Sequence, residues 1–112
     1  MRLALLQHAF RRHPDLTAWA SALDADIAEA ASAGADLLVL PEYASMDALP
    51  APLPSLAAEL DAACTHHDAV VAFMRDAAAR HHVWLLGGSL PQRRPDGSIV
   101  NHAPLIAPDG EV

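Results

Sequence analysis

The chain contains no lysine; its positive charge comes only from seven arginines, at positions 2, 11, 12, 75, 80, 93 and 94. Against fourteen Asp and Glu they leave a formal net charge of −7. No basic stripe is available to follow a phosphate backbone, which argues against nucleic acid and anionic membrane as partners. Arg11-Arg12 and Arg93-Arg94 read as isolated, solvated pairs. Cysteine is almost absent as well. The single Cys64 excludes an internal disulfide and fits a reducing compartment, so a cytoplasmic location is expected. Aromatic residues make up only 4%, so a core must be built mainly from alanine and aliphatic side chains. No apolar run approaches a membrane span, and the stretch before Gln7 and His8 is too short for a signal-peptide core. A length of 112 residues allows one domain with a modest core.

What is present centres on Ala35-Asp36-Leu37-Leu38-Val39-Leu40-Pro41-Glu42-Tyr43. Four consecutive apolar residues, bounded by Gly34 and Pro41, predict a short strand buried on both faces, as in a parallel sheet with helices on each side. Pro41 has no N–H to continue a ladder, so Glu42 falls just past the strand's carboxyl end, where open α/β sheets place their ligands. Half-desolvation there would suit a carboxylate to act as a base, although a solvated loop acid is the commoner occupant of such a position.

Around this stretch the pattern is β-α-β-loop-α-β-β, an α/β fold. Residues 2–8 predict a first strand. Pro14-Asp15 opens a helix, with proline in its tolerated first turn, and Leu16, Ala20, Leu23, Ile27 and Ala30 form its apolar face. Residues 45–54, with alternating Pro50, Pro52 and Pro54, read as irregular and as a candidate pocket rim. Ser55 caps a short Ala-rich helix that runs to about Cys64. Asp68 then opens a second main helix, with Val70, Phe73, Met74, Ala77 and His81 on one face. Val83-Trp84-Leu85-Leu86 predicts a third buried strand. It ends in Gly87-Gly88-Ser89, where missing side chains permit a close backbone approach or simply fit a bulge. Pro95-Asp96-Gly97-Ser98 is a hairpin turn, residues 99–107 form the returning strand with Pro104 at an edge or bulge, and Pro108-Asp109-Gly110 is a second turn.

Seven histidines invite a metal site, but the spacing argues against one. Adjacent histidines on a helix point about 100° apart, and a helix from 67 to 81 separates its ends by roughly 21 Å. No His-x-x-x-His pair occurs, so His66, His67, His81 and His82 are expected to be exposed or helix-terminal, and no metal or cofactor is expected. Cys64 beside His66 or His67 resembles a nucleophile with its base only superficially. It lies at an Ala-rich helical end near acids, with nothing to lower its pKa, so a packing role is expected.

Taken together, the strand ending in Gln7, Ala30-Ala31 before Gly34-Ala35-Asp36, Leu38-Val39-Leu40-Pro41-Glu42, the run from Val83 to Ser89, Arg93, Gly97, Asn101 and Pro108-Asp109-Gly110 resemble the nitrilase, or carbon–nitrogen hydrolase, superfamily. The likeness runs over nearly all of residues 1–112 in the right order. It implies the N-terminal part of a four-layer α-β-β-α sandwich, truncated before the second catalytic residue and homo-oligomeric when complete. It further implies hydrolysis of an amide or nitrile by a Glu-Lys-Cys triad, without a cofactor. Of that triad only the glutamate maps here, onto Glu42 as general base. Tyr43 and residues 45–54 are candidates to touch the small-molecule substrate. With no lysine and no cysteine at the nucleophile's place, the isolated chain is expected to be inactive, since loss of a nucleophile alone can cost on the order of 10⁶ in kcat. The alternative expectation is a short non-catalytic α/β module that pairs with a partner subunit or binds a small molecule.

Overall fold

The computed structural model describes residues 1–7, 9–49 and 52–112. Its elements are β1 (Leu3–Leu5), α1 (Leu16–Ser32), β2 (Leu37–Val39), a 3-10 helix (Ala44–Ala48), α2 (Leu56–His81), β3 (Trp84–Leu86), β4 (Leu90–Arg93), β5 (Ile99–His102) and β6 (Leu105–Ile106). Strands β1, β2 and β3 are parallel neighbours, and β6 adds antiparallel to β3. Strands β4 and β5 form a separate antiparallel hairpin.

Two consecutive crossovers step the same way across the sheet, from β1 to β2 to β3. Each is right-handed by the usual rule, so both helices fall on one face. Ala4, Leu38, Leu85 and Ile106 form a row across the four strands, and that row packs with Leu23 and Ile27 of α1 and Val70, Met74 and Ala77 of α2. The opposite face is apolar but uncovered: Leu3, Leu5, Trp84 and Leu105 are 55%, 71%, 41% and 49% exposed. The expectation of a strand buried on both sides is therefore corrected. Leu38 and Leu40 are buried, while Leu37 and Val39 on the other face are only half-buried.

Both helices begin where a side chain can satisfy a free amide. Asp15 caps α1 by accepting from the Ala18 N–H at 2.7 Å, and Ser55 caps α2 by accepting from the Ala58 N–H at 3.1 Å. Pro14 thus stands before the cap and not inside the first turn. The stripe Trp19, Leu23 and Ile27 is the buried face of α1, and the Trp19 indole adds an edge-on contact to Phe73 with ring centroids 5.5 Å apart. Gly34 ends the turn after α1 with a positive φ of 85°.

The sequence pattern predicts two helices over this stretch; α2 is instead one helix of 26 residues, spanning about 39 Å. Nothing between Cys64 and Asp68 breaks it, and the Thr65 hydroxyl returns to the Asp61 carbonyl without interrupting the ladder. Residues 45–54 are likewise not wholly irregular, because a 3-10 helix occupies Ala44–Ala48; Pro50 lies outside the described residues, as does His8 at the predicted end of the first strand. The returning strand is broken at Pro104, which is buried and whose carbonyl accepts from the Gly87 N–H at 2.9 Å. Its two halves therefore serve different sheets. No described helix is long and apolar enough to cross a membrane.

A close backbone approach lies at the ends of β2 and β3. A Cβ built on Gly88 would sit 2.2 Å from the Pro41 carbonyl oxygen, and Gly88 has a φ of +71°. Backbone strain and collision with another backbone oppose any side chain here. Gly88→Ala is expected to destabilise the protein by at least about 2 kcal/mol, measured by chemical denaturation, whereas Gly97→Ala should be milder because its Cβ meets open space.

Candidate functional site

The chain leaves β2 at Val39, and Leu40 still donates to the Leu86 carbonyl at 3.0 Å before Pro41 ends the pairing. Glu42 and Tyr43 then form a turn at the carboxyl end of the sheet. Tyr43 adopts the left-handed conformation, with φ 55° and ψ 32°, and heads the 3-10 helix. A bulky residue pays conformational energy there, and such strain concentrates at functional turns.

Three contacts hold the turn. The Tyr43 N–H donates to Ser89 Oγ at 3.0 Å, directly beyond Gly88. The Trp19 indole N–H donates to the Ala44 carbonyl at 3.2 Å, tying α1 to the first residue of the 3-10 helix. From β5, the Asn101 amide donates to the Tyr43 phenol oxygen at 3.4 Å. A backbone approach, a buried indole and the hairpin thus converge beside Glu42.

Glu42 is exposed, so the desolvation expected for it does not arise among the described residues. It lines a recess of about 580 Å³ with Phe10, Arg12, Tyr43, Met46, Leu56, Glu59 and Leu60. Both candidate residues from the sequence, Glu42 and Tyr43, therefore face one recess. Its walls are mostly apolar. Another groove, of about 330 Å³ between α1 and α2, holds neither of them.

Arg12 is not the solvated cation that its place in Arg11-Arg12 suggested. Its guanidinium donates to Glu59 Oε1 at 2.7 Å, with the two side chains only 23% and 19% exposed. Glu59 also accepts from the Leu53 N–H at 3.5 Å. The ion pair joins the connector before α1 to the first turns of α2, and both of its residues line the recess with Glu42. Arg93 similarly pairs with Asp61 across the face of α2, at 2.5 Å.

The histidines divide. His81 ends α2 beside Asp24 at 2.9 Å, and His82 is its left-handed cap, so the helix-terminal expectation holds for both. His67 departs from expectation. It is 6% exposed and forms a side-chain contact with His102. Among the described residues no group of three or more His, Cys, Asp or Glu side chains is arranged to hold a metal. Cys64 is a half-buried free thiol on α2, one turn beyond Leu60, and is not among the residues lining the recess.

Trp19 was recoverable from sequence, since it lies four and eight residues before Leu23 and Ile27 on one helical face. Arg12–Glu59, Ser89–Tyr43 and His67–His102 join residues 35 to 47 positions apart and leave no local signal.

Comparison with known proteins follows the same segment. The family model described as carbon-nitrogen hydrolase matches residues 2–112. Among curated proteins none matches. An amidase from Nesterenkonia sp. superposes with a TM-score of 0.74 at 28% identity, covering 99% of this chain and 40% of that one. A structure of the same amidase with a glutamate replaced by glutamine, in which acrylamide has added to the active-site cysteine, gives a TM-score of 0.76 at 26% identity, covering 99% and 41%. A carbon-nitrogen hydrolase from Helicobacter pylori G27 shares the fold with a TM-score of 0.74 at 20% identity, covering 97% and 36%. The chain spans about 40% of the length of the amidase structures it matches and corresponds to an N-terminal portion of them.

The Arg12–Glu59 pair makes a direct prediction. Arg12→Ala should destabilise the protein by about 1–3 kcal/mol because it leaves a half-buried carboxylate unpaired, and Arg12→Ala with Glu59→Ala together should cost less than the sum of the single changes. A double-mutant denaturation cycle measures this.

Proposed function

The chain belongs to the carbon-nitrogen hydrolase family, and from that premise we propose that Glu42 is the general base of a site that hydrolyses an amide or nitrile. The observation that carries the reading is the placement of Glu42 on a strained, triply held turn at the carboxyl end of β2, facing a largely apolar recess. For an amide, Glu42 takes the proton of a cysteine thiol as sulfur attacks the carbonyl carbon, and returns it to the departing amine nitrogen. A thioester remains. Glu42 then takes a proton from water as its oxygen attacks the thioester carbon. The acid product leaves and the thiol regains its proton.

The sequence holds no lysine to stabilise the charge on the tetrahedral oxygen, and Cys64 lies outside the recess. In this reading both partners lie beyond these 112 residues, and the segment contributes the base and one wall. Tyr43 touches substrate across that wall, with Phe10, Met46, Leu56 and Leu60 lining the side that accepts its apolar part. The uncovered face of Leu3, Leu5, Trp84 and Leu105 supports a second sheet packing there, giving the four-layer α-β-β-α arrangement and, in the complete enzyme, a homo-oligomer. The same open face also favours a second reading, a non-catalytic module that completes its sheet on a partner subunit.

In the product of the complete reading frame, Glu42→Gln should lower kcat for a simple aliphatic amide by about 10²–10⁴ while leaving the thermal unfolding midpoint unchanged. Steady-state hydrolysis assays measure this. Unchanged turnover would remove Glu42 from the chemistry. The absence of any turnover by that complete product, with a folded protein in hand, would favour the non-catalytic module.

A further inference from the structure

His67 and His102 form the titratable cluster that the site does not absorb. His67 Nε2 lies 3.0 Å from His102 Nδ1, and His67 Nδ1 lies 2.9 Å from Asp68 Oδ1. The rings are 5.2 Å apart between centroids and tilted by 41°. His67 is buried on α2, and His102 ends β5 opposite the buried Leu90 of β4. The contact therefore ties the base of the β4–β5 hairpin to the middle of α2.

Its neighbour in β5 is Asn101, whose amide donates to the Tyr43 phenol. Successive strand residues point to opposite sides, so one backbone segment is gripped by α2 through His102 and reaches the Glu42 turn through Asn101. We propose that His67 and His102 are positioning residues, forming a proton-sensitive clasp that holds the hairpin, and with it Asn101 and Tyr43, in place beside Glu42.

The chemistry of the facing nitrogens sets the rule. With no added proton, His67 directs Nδ1–H to Asp68 and accepts at Nε2 from His102 Nδ1–H. With one added proton on His67, Nε2–H donates and His102 accepts at Nδ1 as the other tautomer. With both rings charged, both facing nitrogens carry hydrogen, the bond is lost, and two cations repel. Around the pair, α2 carries Asp68 and His66 on either side of His67 and Cys64 one turn earlier, and the Asp61–Arg93 pair bridges α2 and β4. Burial, and then the charge of His67, lower the pKa of His102 from 6.5. A histidine held neutral in the folded state contributes stability above its unfolded value and loses it as pH falls below about 6.5 toward its folded value, so the clasp opens in acid.

Hydrogen exchange on the product of the complete reading frame tests this without using the catalytic reading, so failure of either is distinguishable. After correction for intrinsic rates, protection of amides in residues 90–102 should fall about tenfold from about pH 7.5 to about pH 5, while the buried turns of α1 change little. His102→Asn and His67→Gln each keep a nitrogen or oxygen at the facing position but cannot titrate. Each should retain hairpin protection at neutral pH within about threefold and lose its acid dependence. In the unaltered protein, the histidine ring resonances should show the two titrations coupled, with the second in step with loss of protection. Hairpin protection that is flat with pH, acid loss that persists in whichever variant folds, or two independent ring titrations would each overturn the proposal.

Discussion

Gly88 and the Pro41 carbonyl meet where β2 and β3 end, and that approach places the loops after both strands. With no side chain on Gly88, the two chain ends come close enough for Ser89 to accept from the Tyr43 amide. That bond fixes a tyrosine in a conformation it would not adopt alone, and so aims Glu42 into the recess. Trp19 supports the turn from α1, and Asn101 supports it from the hairpin. Rigid elements on three sides thus hold a short irregular segment in one conformation.

The four-strand sheet is stable on one face and open on the other. The helix-facing row of Ala4, Leu38, Leu85 and Ile106 joins α1 and α2 in one core, with Met74 and Val70 fully buried. The opposing row of leucines and Trp84 has the composition of an interior surface and the exposure of an exterior one.

Much of this architecture was legible from local chemistry. The strand before Pro41-Glu42, Gly34 after α1, Ser55 at the head of α2 and the turn at Gly97 all follow from backbone rules that act within a few residues. Periodicity reports that a residue lies on an apolar side but not whether anything covers that side, so a half-buried strand reads as buried on both faces. A cap-like Asp68 inside an Ala-rich stretch likewise reads as a new start, although no Gly or Pro interrupts α2 and the helix continues through it. The Leu-Val-Leu-Pro-Glu segment marks Glu42 and Tyr43 as the residues just past the strand, and the structure has both in the turn that lines the recess. The contacts of Arg12, Glu59, His67 and His102 carry no such mark, because they form only after distant elements pack.

The break at Pro104 sends β5 and β6 into different sheets, and this leaves the far end of the hairpin standing clear. His102 and Asn101 sit at its base, while residues 93–99 are exposed and a Cβ on Gly97 would touch nothing within 4 Å. Length and composition at that tip are thus separable from the geometry around Glu42. Chain could be inserted between Asp96 and Ser98, or an affinity peptide or fluorophore carried there, while the base of the hairpin keeps its register on α2.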